Sequence, residues 1–550
     1  MSYDFTMFKD TFENEFTYVE GFRRNTHRYK NSKAVTCPIR KKSWTYGELD
    51  RAVNQLAHAL LDDHVTKHDV VMYQLYNCAE FVFLYLAPQK IGAINCPINF
   101  RLSYGETAYA IDDSKPKIYF YDGAIREVAE KALNTAAHKP DKVVMVEITG
   151  SQKPIAGAAD YDDYVQGKPE ADPGIHRPSH IYDETTRLYT SGTTGLPKGV
   201  PLNNINEILS AHDVIMHFPL SPIDKTMNMT PWFHRGGLYS GGPNPTLYVG
   251  GEMVCLREFN AAKILDYVQE YALTFLIGAP VTLKGLYHEQ LKKPRDLSKL
   301  RGIVTMGAPL ERQSCIDFQK VLTANIFNGY GSSEAFWNTF LRPYDLPEMA
   351  GSAGRSCTDD DVAVVKLHTD RLAEPDDFVA QDNTEVGEII VKPTGKCAFD
   401  YINKPEEAKS KFYKGWLYIG DLGTWNEEEF VTVVGRKDDM IISGAENIQP
   451  VQVEEILNKC PKVRENVVVG MPDDMWGQVV VAYVVKEDPT LTHQELDEFC
   501  LNHPMMARYK RPRYYRFVEA LPLTATGKKM HFKVKQLAIE DCAKGLLLAV

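Results

Sequence analysis

The stretch YTSGTTGLPKGV, Tyr189–Val200, decides how the rest of the chain is read. Glycines at 192, 195 and 199 allow tight backbone turns, so successive main-chain N–H groups can converge on one anion. Thr190, Ser191, Thr193 and Thr194 add hydroxyl donors, and Lys198 adds a mobile positive charge. By composition this is a loop that wraps phosphate. It is not a Walker A loop, because the GxxxxGK[ST] spacing is not met. A short Gly/Ser/Thr run is more often a polar surface turn, and the length of this string is what favours the phosphate reading.

Working outward from that loop, strands and helices alternate. WTYGELDRAVNQLAHALLDDH, Trp44–His64, has apolar residues at helical spacing with Thr45 placed to cap. VVMYQLY, Val70–Tyr76, is a short β-rich run, and EFVFLYLAPQKIG after it reads as helix. PKIYFYD and KVVMVEI are further apolar strands. This alternation predicts an α/β fold with a largely parallel sheet. Near 435–450 the character changes: GRKDDMIISGAENIQP packs charge, glycine and proline between two apolar segments, as a hinge does. A compact α+β unit is expected beyond it, with helices over Pro450–Asn458 and His493–Leu501 and strands over Asn466–Gly470, Gln478–Lys486 and Tyr514–Val518. The expected division is a large part, 1–436, and a small mobile part, 437–550.

At 550 residues the chain exceeds one ordinary core. A net charge of -11 argues against a general nucleic-acid binder, which works by neutralising phosphates, but does not exclude a local nucleotide site. Ten scattered cysteines without CxxC pairs read as reduced thiols of a cytoplasmic protein. The N-terminal MSYDFTMFKDTFENEF lacks the basic and apolar regions of a signal peptide, and no uncharged apolar stretch reaches membrane-spanning length. Oligomeric state, monomer or homodimer, stays open.

Further strings follow the glycine-rich loop: MGAPL (Met306–Leu310), NGYGSSE (Asn328–Glu334), YIGDLG (Tyr418–Gly423), GRKDD (Gly435–Asp439) and LPLTATGKK (Leu521–Lys529). On these motifs, in this order over most of its length, the chain resembles the adenylate-forming superfamily of acyl- and aryl-CoA ligases, peptide-synthetase adenylation domains and beetle luciferases. GRKDDMIISGAEN resembles the bacterial aryl-CoA ligases most, with Ala445 where their pattern often has a second glycine. The resemblance implies that Thr190, Ser191, Gly192, Thr193, Thr194, Gly195 and Lys198 hold the β- and γ-phosphates of ATP. Gly307, Ala308 and Pro309 would line adenine together with Asn328, Gly329, Tyr330 and Gly331. Ser333 would approach the α-phosphate and Glu334 would ligate Mg²⁺. Asp421 would accept from the ribose hydroxyls, with Arg436 as a second contact. An aromatic face does suit a purine, a hard oxygen anion suits Mg²⁺, and a carboxylate suits a vicinal diol. Taken alone, GYGSSE is a turn capping a helix.

Lys528, with Lys529 as understudy, matches the final catalytic lysine, which would stabilise charge as a carboxylate attacks the α-phosphate. The resemblance implies rotation of the small part about Asp438, after which Ser443, Gly444 and Ala445 line a tunnel for coenzyme A. TPWFHRGGLYSGG, Thr230–Gly242, corresponds to the acid-binding segment, giving Trp232, His234, Gly237 and, from the neighbouring motif, Trp337 as pocket residues. His234 stands where amino-acid adenylating domains carry an aspartate, which counts against an amino-acid substrate; a structural histidine is the alternative. Arg235 either faces the pocket, favouring a polar or second-carboxylate acid, or is paired in a salt bridge. RYKRPRYYR, Arg508–Arg516, reads as a solvated basic face, with contact to CoA phosphates as the alternative. The expected activity is thus formation of an acyl-AMP from an aromatic, cyclic or small to medium aliphatic acid, followed by transfer to coenzyme A. A stand-alone adenylation enzyme loading a carrier protein, a medium- or long-chain fatty acyl-CoA synthetase, a luciferase-like oxygenase and an adenylate-binding regulator are the alternatives.

Overall fold

A computed structural model describes residues 5–191, 196–308, 310–368, 371–436, 439, 441–444, 446–448, 450–522, 529 and 531–550, with side chains at all but 191, 434–436, 447, 451 and 532. The expected α/β alternation is present from the start. Thr45 caps the helix Tyr46–Asp62 through a capping box with Glu48, which satisfies two of the four amides that a helix start leaves unpaired. The helix Ala79–Lys90 has every residue buried. A helix apolar on all sides must be covered on all sides, and its residues share one core with both large sheets.

The first of those sheets has seven strands, with Val70–Gln74, Ile94–Pro97, Ile118–Asp122, Lys142–Val146 and Ala159–Asp160 parallel and Glu184–Ser191 beside Ile94–Pro97. Its edge strand, Pro197–Asn203, returns antiparallel to Glu184–Ser191. The second sheet has nine strands. Six of them run parallel, from Lys33–Cys37 through Glu252–Val254, Lys225–Asn228, Phe275–Gly278 and Gly302–Met306 to Ile326–Ser332. Phe336–Leu341 and Arg355–Ser356 extend it antiparallel at one edge and Lys42–Thr45 at the other. Parallel strands buried on both faces read as unbroken apolar runs, as IYFYD and KVVMV do. A third, five-stranded antiparallel sheet contains Gly387–Pro393, Trp416–Trp425 and Val431–Arg436.

Beyond residue 440 comes a separate set of elements. The hairpin Ile441–Ser443/Glu446–Ile448 precedes the helix Pro450–Leu457 and a sheet of Val463–Asp473, Gly477–Lys486, Tyr514–Phe517 and Leu548–Ala549. The helix and the first three strands lie close to where the sequence places them, and a long last helix, His531–Ala543, was not expected from it. Among the described residues no strand pairing joins the elements before 437 to those after it. All ten cysteines are free thiols, nine of them buried, and no helix among the described residues is long and apolar enough to cross a membrane.

Candidate active site

The glycine-rich string forms the end of the antiparallel pair Glu184–Ser191/Pro197–Asn203, with Thr190 opposite Lys198 and Ser191 opposite Pro197. Gly192, Thr193, Thr194 and Gly195 lie outside the described residues. Lys198 is not the mobile charge expected from sequence. It is buried in a strand, with Nζ donating to Glu407 Oε1 at 2.7 Å and standing 4.3 Å above the Tyr401 ring. Tyr401 in turn donates its hydroxyl to Glu334 Oε1 at 2.6 Å. Lys198, Tyr401 and Glu334 therefore form one cluster, joining the glycine-rich hairpin to the NGYGSSE motif. Burial alone would raise the Glu334 carboxyl, but Lys198 and the Tyr401 hydroxyl outweigh it and hold the group below the usual carboxylate range. The site keeps an ionised oxygen donor beside the glycine-rich hairpin, which is the chemistry that a hard divalent cation needs.

NGYGSSE does not cap a helix. Asn328, Gly329, Tyr330 and Gly331 end the strand Ile326–Ser332, and the chain turns back through Glu334 into the strand Phe336–Leu341. Phe336 pays for that reversal with a φ of 61°, unusual for a bulky side chain. Tyr330 donates its hydroxyl to Asp421 Oδ2 at 2.8 Å, so the proposed adenine and ribose residues meet directly. Asp421 lies on Trp416–Trp425 opposite Arg436 of Val431–Arg436. Gly307 and Ala308 follow the strand Gly302–Met306, and Pro309 lies outside the described residues.

In the segment expected to bind the acid, His234 precedes the short helix Arg235–Tyr239. Asn228 fixes that turn by donating its amide to the carbonyls of Gly236, Gly237 and Ser240 at 2.9–3.1 Å. Trp232 points away into the core, with its backbone N–H on Asn77 and its ring edge-on to Phe81 at 5.5 Å. Arg235 does not make the salt bridge expected of it. Among the described residues its guanidinium donates to the Ser333 carbonyl (3.0 Å), Ser210 Oγ (3.0 Å) and the Lys396 carbonyl (3.1 Å), and stacks on Tyr239 at 4.7 Å. Burial lowers its basicity. It is a brace that ties the helix Asn204–His217 to the reversal after Tyr330.

Trp337 is 3 % exposed and lies against Gly329: a Cβ built there would come 2.6 Å from the indole nitrogen. Its ring stacks on Phe336 at 4.9 Å and packs on Phe340 at 4.6 Å and Phe218 at 6.2 Å. The carbonyl of Trp337 accepts from buried Lys396 at 2.6 Å. Lys396 is held in turn by Asp213 at 2.9 Å and Asp360 at 2.8 Å. An aromatic wall backed by a buried charge network thus stands behind the reversal.

The small unit reaches this site through its hairpin. Ser443 and Gly444 are at the hairpin's turn; Ala445 is outside the described residues, as are Asp438 and Lys528. Glu446, just past the turn, is buried between Arg101 Nη1 (2.7 Å), Asn99 Nδ2 (3.0 Å) and His234, whose Nε2 is 3.6 Å away. Burial would raise the Glu446 carboxyl, but His234 and Arg101 hold it below the usual range. Lys529 is engaged within the small unit, on Glu454 Oε2 at 2.6 Å. Glu446, Arg101, Tyr401 and Glu407 were not singled out from sequence; Glu446 lies within the hinge string, but nothing in the spacing marked Tyr401.

Residues 22–397 match the AMP-binding enzyme family, and residues 452–528 match the AMP-binding enzyme C-terminal domain. The chain belongs to the AMP-binding enzyme family, which is the adenylate-forming superfamily that its motifs resemble. Its relatives include the indoleacetate–CoA ligase of Aromatoleum aromaticum, 31% identical over 92% of this chain and 94% of that protein. The long-chain-fatty-acid–CoA ligase FadD13 of Mycobacterium tuberculosis is 28% identical over 88% and 91%. Among solved structures, o-succinylbenzoate CoA synthetase (MenE) of Bacillus subtilis superposes in two forms, each 26% identical and covering 94% of this chain and 97% of that one. The double mutant bound with its product analogue OSB-NCoA gives a TM-score of 0.80, and the complex with the acyl-adenylate OSB-AMP gives 0.65.

Proposed function

We propose that this chain is an AMP-forming acyl-CoA synthetase: it joins a carboxylate to the α-phosphate of ATP with release of pyrophosphate, then passes the acyl group to the thiol of coenzyme A. The observation that carries this reading is Glu446 at His234, because it brings the turn assigned to the thiol tunnel against the segment assigned to the acid. The better superposition on the MenE form bound to a CoA product analogue than on the form bound to its adenylate supports a small part set as for the second step. The named relatives act on indoleacetate and on long-chain fatty acids and are both CoA ligases.

In this reading Tyr330 and Asp421 seat the nucleoside, and the strand pair around Thr190 and Lys198 carries the phosphate loop. Glu334, kept ionised by Lys198 and Tyr401, is the residue that would hold Mg²⁺, which would offset the negative charge of the phosphates when bound. The small part, 437–550, turns about Asp438, presenting Lys528 for the first step and the Ser443–Gly444–Ala445 turn for the second. The acid is compact, aromatic, cyclic or short to medium aliphatic, because Trp337 and its neighbours close the space behind Gly329. The protein works in the cytoplasm, where its buried thiols stay reduced.

The test is pyrophosphate release from Mg-ATP across a panel of carboxylic acids, with and without coenzyme A. Acid-dependent release, faster with coenzyme A and accompanied by thioester, is the expected result. Release that coenzyme A does not accelerate would point to a carrier protein instead, and acceptance of long-chain acids alone would overturn the compact-acid reading.

A further inference from the structure

The basic run RYKRPRYYR is not a solvated face: only Arg508 of its nine residues is exposed. Arg511 pairs with Asp497 and Arg516 with Asp541, both within the small unit. Lys510 crosses to the large part. It is 3 % exposed and its ammonium lies on Glu106, which is fully buried, and on Gln452 Oε1 at 3.0 Å. Gln452 closes the triangle by donating to Glu106 Oε1 at 3.1 Å. The other oxygen of Glu106 accepts from the Ser103 backbone and hydroxyl at 3.0 and 2.9 Å, completing the capping box of the helix Tyr104–Ser114. The carboxylate is saturated: one oxygen serves its own helix and the other serves the small unit.

The backbones meet at the same place. Gly105 N–H, which a helix start leaves without an internal partner, donates to the Pro504 carbonyl at 3.2 Å. A Cβ at 105 would stand 2.8 Å from both that oxygen and Met505 Sδ. Four and two residues before the cap, Asn99 and Arg101 take Glu446. One strip, residues 99–106, thus receives both the hairpin and the 504–510 loop. A buried ion pair is strongly destabilised when one partner is lost, because the other is left uncompensated. A pair that spans two units resists their separation for the same reason.

We propose that Lys510, with Glu106 and Gln452, is a positioning latch that holds the small unit in the pose for thiol transfer and has no part in forming the adenylate. This rests on the two-step reading above. Among the described residues Lys510 touches none of those assigned to the acid or the nucleotide; it acts by keeping the Ser443–Gly444 turn and Glu446 at His234.

The experiment compares full-length Glu106→Gln, Lys510→Met and the double variant, using the acid that gives most pyrophosphate release. Glutamine at 106 keeps the capping box, so the helix start survives. Acid-dependent ATP–pyrophosphate exchange should stay within about twofold, while conversion of preformed acyl-AMP and coenzyme A to thioester should slow at least about tenfold. The double variant should be no worse than the singles, as for two members of one contact. Hydrogen exchange of the Gly105 amide, which needs no substrate, should lose protection in all three. Equal loss of both half-reactions, unchanged thiol transfer, or unchanged Gly105 protection would overturn the latch. If the wild type makes acyl-AMP but no thioester, the acceptor assignment fails, and Gly105 protection still decides the latch.

Discussion

Replacing Trp337 with alanine tests the shape of the acid pocket. The indole is almost completely buried between Gly329, Phe336, Phe340 and Phe218, so its removal leaves a void that the surrounding strands cannot fill. The expected loss of stability is about 3–5 kcal/mol. The same void is what a longer acid would occupy. Burying one methylene is worth about 0.8 kcal/mol, and about 1.4 kcal/mol is tenfold in rate. Each added carbon that reaches the void therefore gains about fourfold, and three carbons about sixtyfold, relative to the wild type. The assay is kcat/KM for pyrophosphate release over a series of straight-chain acids, with melting temperature and ATP binding measured on the same preparations. The wild type should fall off steeply at one chain length, and the variant should move that limit outward by about three carbons. Trp337→Leu, which keeps more of the core, should move it less. A folded, ATP-binding Trp337→Ala enzyme with an unchanged chain-length limit would refute the view that this wall bounds the pocket.

Tyr401→Phe removes one hydrogen bond from Glu334, worth about 1 kcal/mol, and should raise the Mg²⁺ concentration needed for half-maximal adenylation about fivefold; an unchanged Mg²⁺ dependence would separate Tyr401 from the metal. Burial pushes the Asp360 carboxyl up to about 7 from an ordinary 3.8, so the folded state holds a proton that the unfolded state has released. Its contribution to stability is then present below about pH 4 and lost as pH rises to about 7. Asp360→Asn should flatten the melting-temperature profile over that window, and a parallel profile in the variant would contradict this. Lys528→Ala should abolish adenylate formation while leaving thioester formation from supplied acyl-AMP largely intact, and Asp438→Pro should do the reverse, both read from the separated half-reactions.

The sequence revealed most where chemistry is local. The capped helix after Thr45, the apolar strands around Tyr119 and Val144 and the order of elements after Pro450 follow from residues close in the chain. The family was legible because each of its motifs is a contiguous string. Lys198 was misjudged because glycine-rich surroundings suggest mobility, whereas its strand pairs it with Thr190 and places it against Glu407, 209 residues away. Arg235 was expected to find a carboxylate, yet the reversal after Tyr330 offers it carbonyls. Glu106 and Lys510 are 404 residues apart and ordinary in their own neighbourhoods. Ser103-x-x-Glu106 is visible as a helix start, but its second use needs the other unit's backbone beside it.

That second use has a kinetic side. Ser103 and Glu106 are three residues apart on one helix, so the cap sets the carboxylate rotamer without help from the small unit. The 504–510 loop therefore meets a rigid socket, and the ordering cost of docking falls mainly on Lys510, whose side chain is the flexible partner. On the two-step reading proposed above, the mixed anhydride waits for its thiol until the small unit has found its second place. The faster that search ends, the less adenylate is hydrolysed and the less ATP is spent without product, so a helix start remote from the reacting atoms bears on the yield of thioester per nucleotide.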